Sequence, residues 1–108
     1  MATPITRVTL FKIADPVHQQ RVLDQYKTML SKAKKNGKPY ILNVKAGPAY
    51  ADQRSQGFTI VAVSQFASVE DMVYYDNECQ AHAELKAVAK GVHEGLMMAY
   101  FQNVVDEA

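Results

Sequence analysis

Three strand-like segments of this chain carry apolar side chains on both faces, and its helical segments are too few to cover both. In residues 5–13, Val8 and Leu10 point one way while Phe11 and Ile13 point the other. In residues 58–66, Thr59, Val61, Val63 and Gln65 oppose Phe58, Ile60, Ala62 and Phe66. In residues 96–104, Met97, Ala99 and Phe101 oppose Leu96, Met98 and Tyr100. A sheet with one solvated face should instead alternate apolar and polar residues. An open apolar face is a liability in a soluble monomer, and 108 residues build one core rather than two. The simplest cover is a second copy of the same sheet, related by a two-fold axis. The pattern thus predicts a homodimer.

Prolines and glycines punctuate the rest of the chain. Asp15-Pro16 opens a helix, because aspartate accepts from free amides and proline suits the first helical position. Val22, Tyr26, Met29 and Ala33 recur at helical spacing until Asn36-Gly37 stops it, with Lys32, Lys34 and Lys35 at its negative end. A second strand over 40–46 places Tyr40, Leu42, Val44 and Ala46 on one face, and 47–57 is a polar loop. Ser68 and Asp71 resemble a capping box for a short helix through about Tyr75. Ala81, Leu85, Val88 and Val92 then mark a longer helix, closed by Gly95. The tail 106–108 is expected to fray. The order β-α-β-β-α-β predicts a single α+β domain of the ferredoxin-like kind over 1–108, with its core over about 5–104. Pairing with a second copy would close it into a dimeric α/β barrel.

Composition removes several function classes. A formal net charge of +1 gives no reason to expect nucleic acid or an anionic membrane as partner. No apolar run is long enough to span a bilayer. Met1-Ala2-Thr3-Pro4 lacks the basic and apolar stretches of a secretory signal, so a cytoplasmic location is expected. The one cysteine, Cys79, allows no intrachain disulfide and reads as a structural thiol near a helix start. The three histidines lack metal-ligand spacing, so neither a metal nor another cofactor is expected. His18 and His93 read as surface residues beside helix ends, and the lysines over 32–38 as a solvated helix end.

Three segments resemble the stress-responsive A/B barrel (Dabb) family of the dimeric α/β-barrel superfamily. They are Thr6-Arg7-Val8-Thr9-Leu10-Phe11-Lys12-Ile13, the run from Gly57-Phe58-Thr59 to Phe66-Ala67-Ser68, and Tyr75 followed by His82. The resemblance covers residues 5–101 and implies the dimeric barrel. A plant member of the family is a cofactor-independent polyketide cyclase with a pocket between helices and sheet. By that likeness His82, Tyr26 and Tyr75 match its histidine and tyrosines, although the step from Tyr75 to His82 is one residue longer here. Arg7 and Ile60 stand where the cyclase has histidines on its first and third strands. The resemblance therefore implies the fold more firmly than the cyclase chemistry.

The residues allow more than one use. A neutral His82 at a helix start can take a proton from an acidic carbon or a phenol, or can simply lie half-exposed there. Tyr26 and Tyr75 can donate to a developing enolate, or be core residues with a hydroxyl at the surface. Arg7 can hold a carboxylate ligand or serve an ion pair. If Arg7, Thr9, Phe11 and Ile60 face the helices, they floor a pocket for a small aromatic or polyketide-like ligand. Three readings stay open: a binding homodimer, a cofactor-independent enzyme using His82, and a structural or chaperone-like oligomer.

Overall fold

The computed structural model describes residues 4–105. Four strands form one antiparallel sheet: β1 (Ile5–Lys12), β4 (Ile41–Pro48), β5 (Ile60–Phe66) and β6 (Gly95–Gln102), in the order β4-β5-β1-β6. Helix α1 (Pro16–Lys27) and the short α2 (Met29–Lys32) link the first two of these strands, and α3 (Val69–Asn77) and α4 (Gln80–Ala89) link the last two. This is the ferredoxin-like α+β arrangement expected from the element order.

The helix starts follow their caps. The Asp15 carboxylate accepts from the Val17 amide at 2.8 Å, with Pro16 at the first helical position. The Asp71 amide donates to the Ser68 hydroxyl at 3.2 Å. The Asp71 carboxylate does not complete the expected capping box; it binds Lys35 Nζ at 2.7 Å. The first helical region is also shorter than expected. Thr28 caps α1, Ala33 ends α2 in an extended conformation, and Asn36 and Gly37 adopt φ 53° and 77°. Two successive positive φ values make a primed hairpin turn, not a helix stop. Lys34 and Lys35 therefore lie in β2 (Lys34–Lys35), paired with β3 (Lys38–Pro39). The last helix ends at Ala89 because Gly91 takes φ 80°, so Gly91 and not Gly95 closes it, and Val92 lies beyond.

Strand phases are as expected with two exceptions. Ile5, Phe11, Ile60 and Phe66 point to the helices and join Val22, Met29 and Ile13 in the core. Each fully buried side chain of this kind stabilises the fold by roughly 1.5–3 kcal/mol. In β4 a register irregularity lies between Ile41 and Asn43, so Ile41 is buried and Leu42 is turned out. The extra residue of a bulge reverses the alternation, which is why Leu42 does not share a face with Val44. Thr59 precedes β5 instead of sharing Val61's face. Its hydroxyl accepts from the Ile13 amide and donates to the Ile13 carbonyl, both at 3.0 Å.

The far face of the sheet carries Val8, Leu10, Val61, Val63, Met97, Ala99 and Phe101, brought together by the register. None of them is fully buried within one chain. The helix side of β6 is also open: Leu96 and Met98 are 49% and 43% exposed. Among the described residues no helix is long and apolar enough to cross a membrane. The tail expected to fray lies outside the described residues.

The expectation of a second copy on the far face can be tested there. Val61→Asp should shift the light-scattering mass at micromolar concentration toward the 12.0 kDa of one chain, because an unpaired charge is costly to bury. Val17→Asp, on an exposed helix start, should leave it unchanged. A wild-type mass of one chain, or equal behaviour of both variants, would remove the far face as the contact.

Candidate functional site

The site grows from the break between α3 and α4. The amides of Glu78 and Cys79 both donate to the Tyr74 carbonyl, at 2.8 and 3.1 Å, and α4 restarts one residue later. This turn lays the His82 ring on the Tyr75 ring, with centroids 3.7 Å apart and planes 11° from parallel. His82 Nδ1 lies 2.8 Å from the Tyr75 carbonyl oxygen. A carbonyl only accepts, so Nδ1 carries the proton and Nε2 keeps a free lone pair. The Arg7 guanidinium also sits over the Tyr75 ring, 5.4 Å from its centroid. Arg7 Nη1 reaches both carboxylate oxygens of Asp76 at 2.8 Å, and Asp76 Oδ1 lies 3.8 Å from His82 Nδ1. Lys86 Nζ donates to the Asp76 carbonyl.

Beside this stack, between α4 and the β1/β6 half of the sheet, runs a cleft of about 550 Å³. Thr9 and Phe11 form its floor, Leu96 and Met98 its open side, and His82, Leu85 and Ala89 its α4 wall. Tyr26 closes the α1 side with its ring edge-on to Phe11, centroids 6.5 Å apart. His93 closes the far end, also edge-on to Phe11, at 6.3 Å. The volume and the apolar lining with a few polar groups suit a small organic molecule. Tyr26 also borders a more polar groove of about 590 Å³ along β4, which contains no histidine. Among the described residues no three His, Cys, Asp or Glu side chains gather to hold a metal ion.

Residues 5–103 match the stress responsive A/B barrel domain. The chain belongs to that family. A fusaristatin A biosynthesis cluster protein of Gibberella zeae is 43% identical to this domain over 103 residues, covering 94% of this chain and 75% of that protein. The hydroxynitrile lyase of Passiflora edulis superimposes on the A/B barrel domain with a TM-score of 0.76 at 14% identity, covering 99% and 100% of the two chains. SnoaB, a cofactor-independent oxygenase of Streptomyces nogalater, gives 0.72 at 8% identity, with 97% of each chain covered. A protein of Bacteroides fragilis described as dimeric and ferredoxin-like gives 0.72 at 14% identity, covering 93% and 96%. At these identities the likeness is one of fold.

Of the candidates read from the sequence, the A/B barrel domain brings His82, Tyr26, Thr9 and Phe11 to one cleft. Tyr75 backs His82 from within the core and does not line it. Arg7 faces the helices, as Thr9 and Phe11 do, but is engaged with Asp76 and is absent from the lining. Ile60 is fully buried and packs beneath as core, also outside the lining. Burial pushes the Tyr26 phenol up to about 12, against the pull of the Arg7 charge. Burial also raises Tyr75, so both phenols stay neutral donors. His93, Leu96 and Met98 were not read as site residues. His93 is not the surface residue that the sequence suggests: the Gly91 turn and the bond from the Glu94 amide to the Lys12 carbonyl at 2.7 Å bring it back over Phe11. A glycine just before the strand was the available signal.

His82 titrates in a predictable direction. Burial, the largest cause, lowers its pKa from 6.5 to about 4; Lys86 and Arg7 act the same way, while the Tyr75 carbonyl and Asp76 oppose them. The folded form thus takes its proton later than the unfolded chain. Stability is complete above pH 6.5 and is lost as the pH falls toward 4. Unfolding in urea at pH 7 and pH 5 should show a loss of about 2 kcal/mol from this group. That portion should vanish in His82→Gln; an identical pH dependence in both proteins would contradict the assignment.

Proposed function

We propose that this A/B barrel domain works as a cytoplasmic homodimer that binds a small, largely apolar hydroxylated molecule in the His82 cleft. The observation that carries the reading is the fixed tautomer of His82. Its Nδ1–H is committed to the Tyr75 carbonyl, so the free nitrogen of a buried, neutral imidazole is an acceptor beside an apolar surface. Such a nitrogen selects a hydroxyl donor. The dimer is supported by the far-face apolar residues and by structural neighbours described as dimeric. A small-molecule role is supported by the relative named for a biosynthesis cluster.

A second, catalytic reading uses the same nitrogen as a general base, in a cofactor-independent enzyme. It is favoured by the Asp76 carboxylate 3.8 Å from Nδ1, which would stabilise the imidazolium once a proton is taken. The low basicity of free His82 makes it a weak base, so binding stands first and proton transfer second. A purely structural oligomer has no use for a fixed acceptor beside the cleft.

The test uses 1-naphthol and naphthalene as probes. 1-Naphthol should shift the methyl NMR signals of Leu85, Leu96 and Met98. His82→Leu should weaken 1-naphthol by roughly 2–10-fold, the worth of one hydrogen bond, and leave naphthalene unchanged. Shifts elsewhere on the surface, or equal 1-naphthol affinity in both proteins, would reject the cleft and leave the structural oligomer.

A further inference from the structure

The cleft has two polar ends of different character. At one end stands His82, one turn into α4. At the other stand Lys90 and His93, beyond the C-terminus of α4, with the His93 ring edge-on to Phe11. From His82 to Ala89 the helix rises about 10 Å. Between the ends the walls are apolar, formed by Leu85, Ala89, Leu96 and Met98.

The protein fixes one imidazole and leaves the other free. The tautomer of His82 is set by the Tyr75 carbonyl. His93 Nδ1 is buried without a hydrogen-bond partner among the described residues, so no protein group sets the tautomer of that ring, and its other nitrogen is the one that can meet a molecule in the cleft. The backbone is held nonetheless, by the Glu94 amide on the Lys12 carbonyl and the Val92 amide on the Ala89 carbonyl at 3.2 Å. The two lysines of the rim also differ. Lys86 is tied to the Asp76 carbonyl, whereas Lys90 makes no ion pair among the described residues. The His93 end therefore has a cation to spare and an imidazole with an unmet nitrogen. An anion in the cleft suits this end, because it accepts from the ammonium and from the His93 Nε2–H.

We propose that the cleft takes an elongated hydroxy acid, with its hydroxyl on His82 Nε2, its apolar body along α4 and its carboxylate at Lys90 and His93. This assignment rests on the binding reading above and makes His93 and Lys90 specificity-determining residues of that site. The polarity is directional. A neutral acceptor at His82 calls for a donor, and a free cation at the other end calls for an anion. A diol satisfies only the first end and a simple fatty acid only the second.

The probes are 10-hydroxydecanoate, 1,10-decanediol and decanoate, titrated into the full chain and followed by the methyl signals of Leu85, Leu96 and Met98. The hydroxy acid should bind roughly tenfold more tightly than the diol and several-fold more tightly than decanoate, as expected for one charge-assisted and one neutral hydrogen bond. The double variant Lys90→Gln/His93→Phe should bind the hydroxy acid and the diol within about twofold of each other; amide signal dispersion checks that it folds. Equal binding of the hydroxy acid and the diol to the wild type overturns the assignment of the two ends. So does a preference that persists in the double variant. In both cases cleft signals still move, and the binding reading stands. If neither these probes nor 1-naphthol moves those signals, the binding reading fails as well.

Discussion

Arg7 carries its charge on an inward position of a central strand, with only 4% of the residue exposed. Moving a guanidinium out of water costs several kcal/mol unless a carboxylate accompanies it. The carboxylate is Asp76, near the end of α3, so β1 and α3 cannot be placed independently. Tyr75, one residue earlier, touches both the guanidinium and a second aromatic ring. That ring is His82, whose proton goes to the Tyr75 carbonyl. The His82 acceptor is thus positioned, through its contacts with Tyr75, by an ion pair whose carboxylate end, Asp76, borders the same cleft. Breaking the pair by removing Asp76 would leave a lone buried charge, the more damaging way to lose a salt bridge.

The cleft owes its existence to unequal coverage of the sheet. The helices bury the inward residues of β1 and β5, while the inward side of β6 stays open at Leu96 and Met98. An even distribution of helix over sheet would have filled this space with core and left His82 as a packed residue. Phe11 makes the edge of that coverage: its ring touches Tyr26 on the core side and His93 on the open side.

Much of the fold was legible because period-2 alternation survives the choice of partners. The opposition of Val8 and Leu10 to Phe11, and of Val61 and Val63 to Ile60, is reproduced by the strand register. What failed was local. Asn36-Gly37 has two chemically reasonable meanings, a helix stop and a primed hairpin turn, and only the backbone geometry distinguishes them. A bulge leaves no mark in composition, so Leu42 was given the wrong face. Thr9 and Phe11 follow from the inward phase of their strand, whereas His82 and Tyr26 follow from the family likeness, and all four border the cleft. His93 follows a left-handed glycine outside any period, and periodicity could not reach it. The sequence leaves Arg7 open between a carboxylate ligand and an ion pair, because its partner is 69 residues away along the chain.

The bulge in β4 has a consequence for how these chains can stack. A sheet edge is a template for another strand, and natural edges are blunted by bulges, lysines and prolines. One edge of this sheet has all three, in the irregularity after Ile41, in Lys45 and in Pro48. The other edge, Gly-Leu-Met-Met-Ala-Tyr-Phe-Gln, has none, and it combines β-propensity with no charge. Growth by edge-to-edge addition would need every molecule to offer two receptive rims. This one offers a single such rim, so sheet extension through folded chains terminates instead of running on into a fibre.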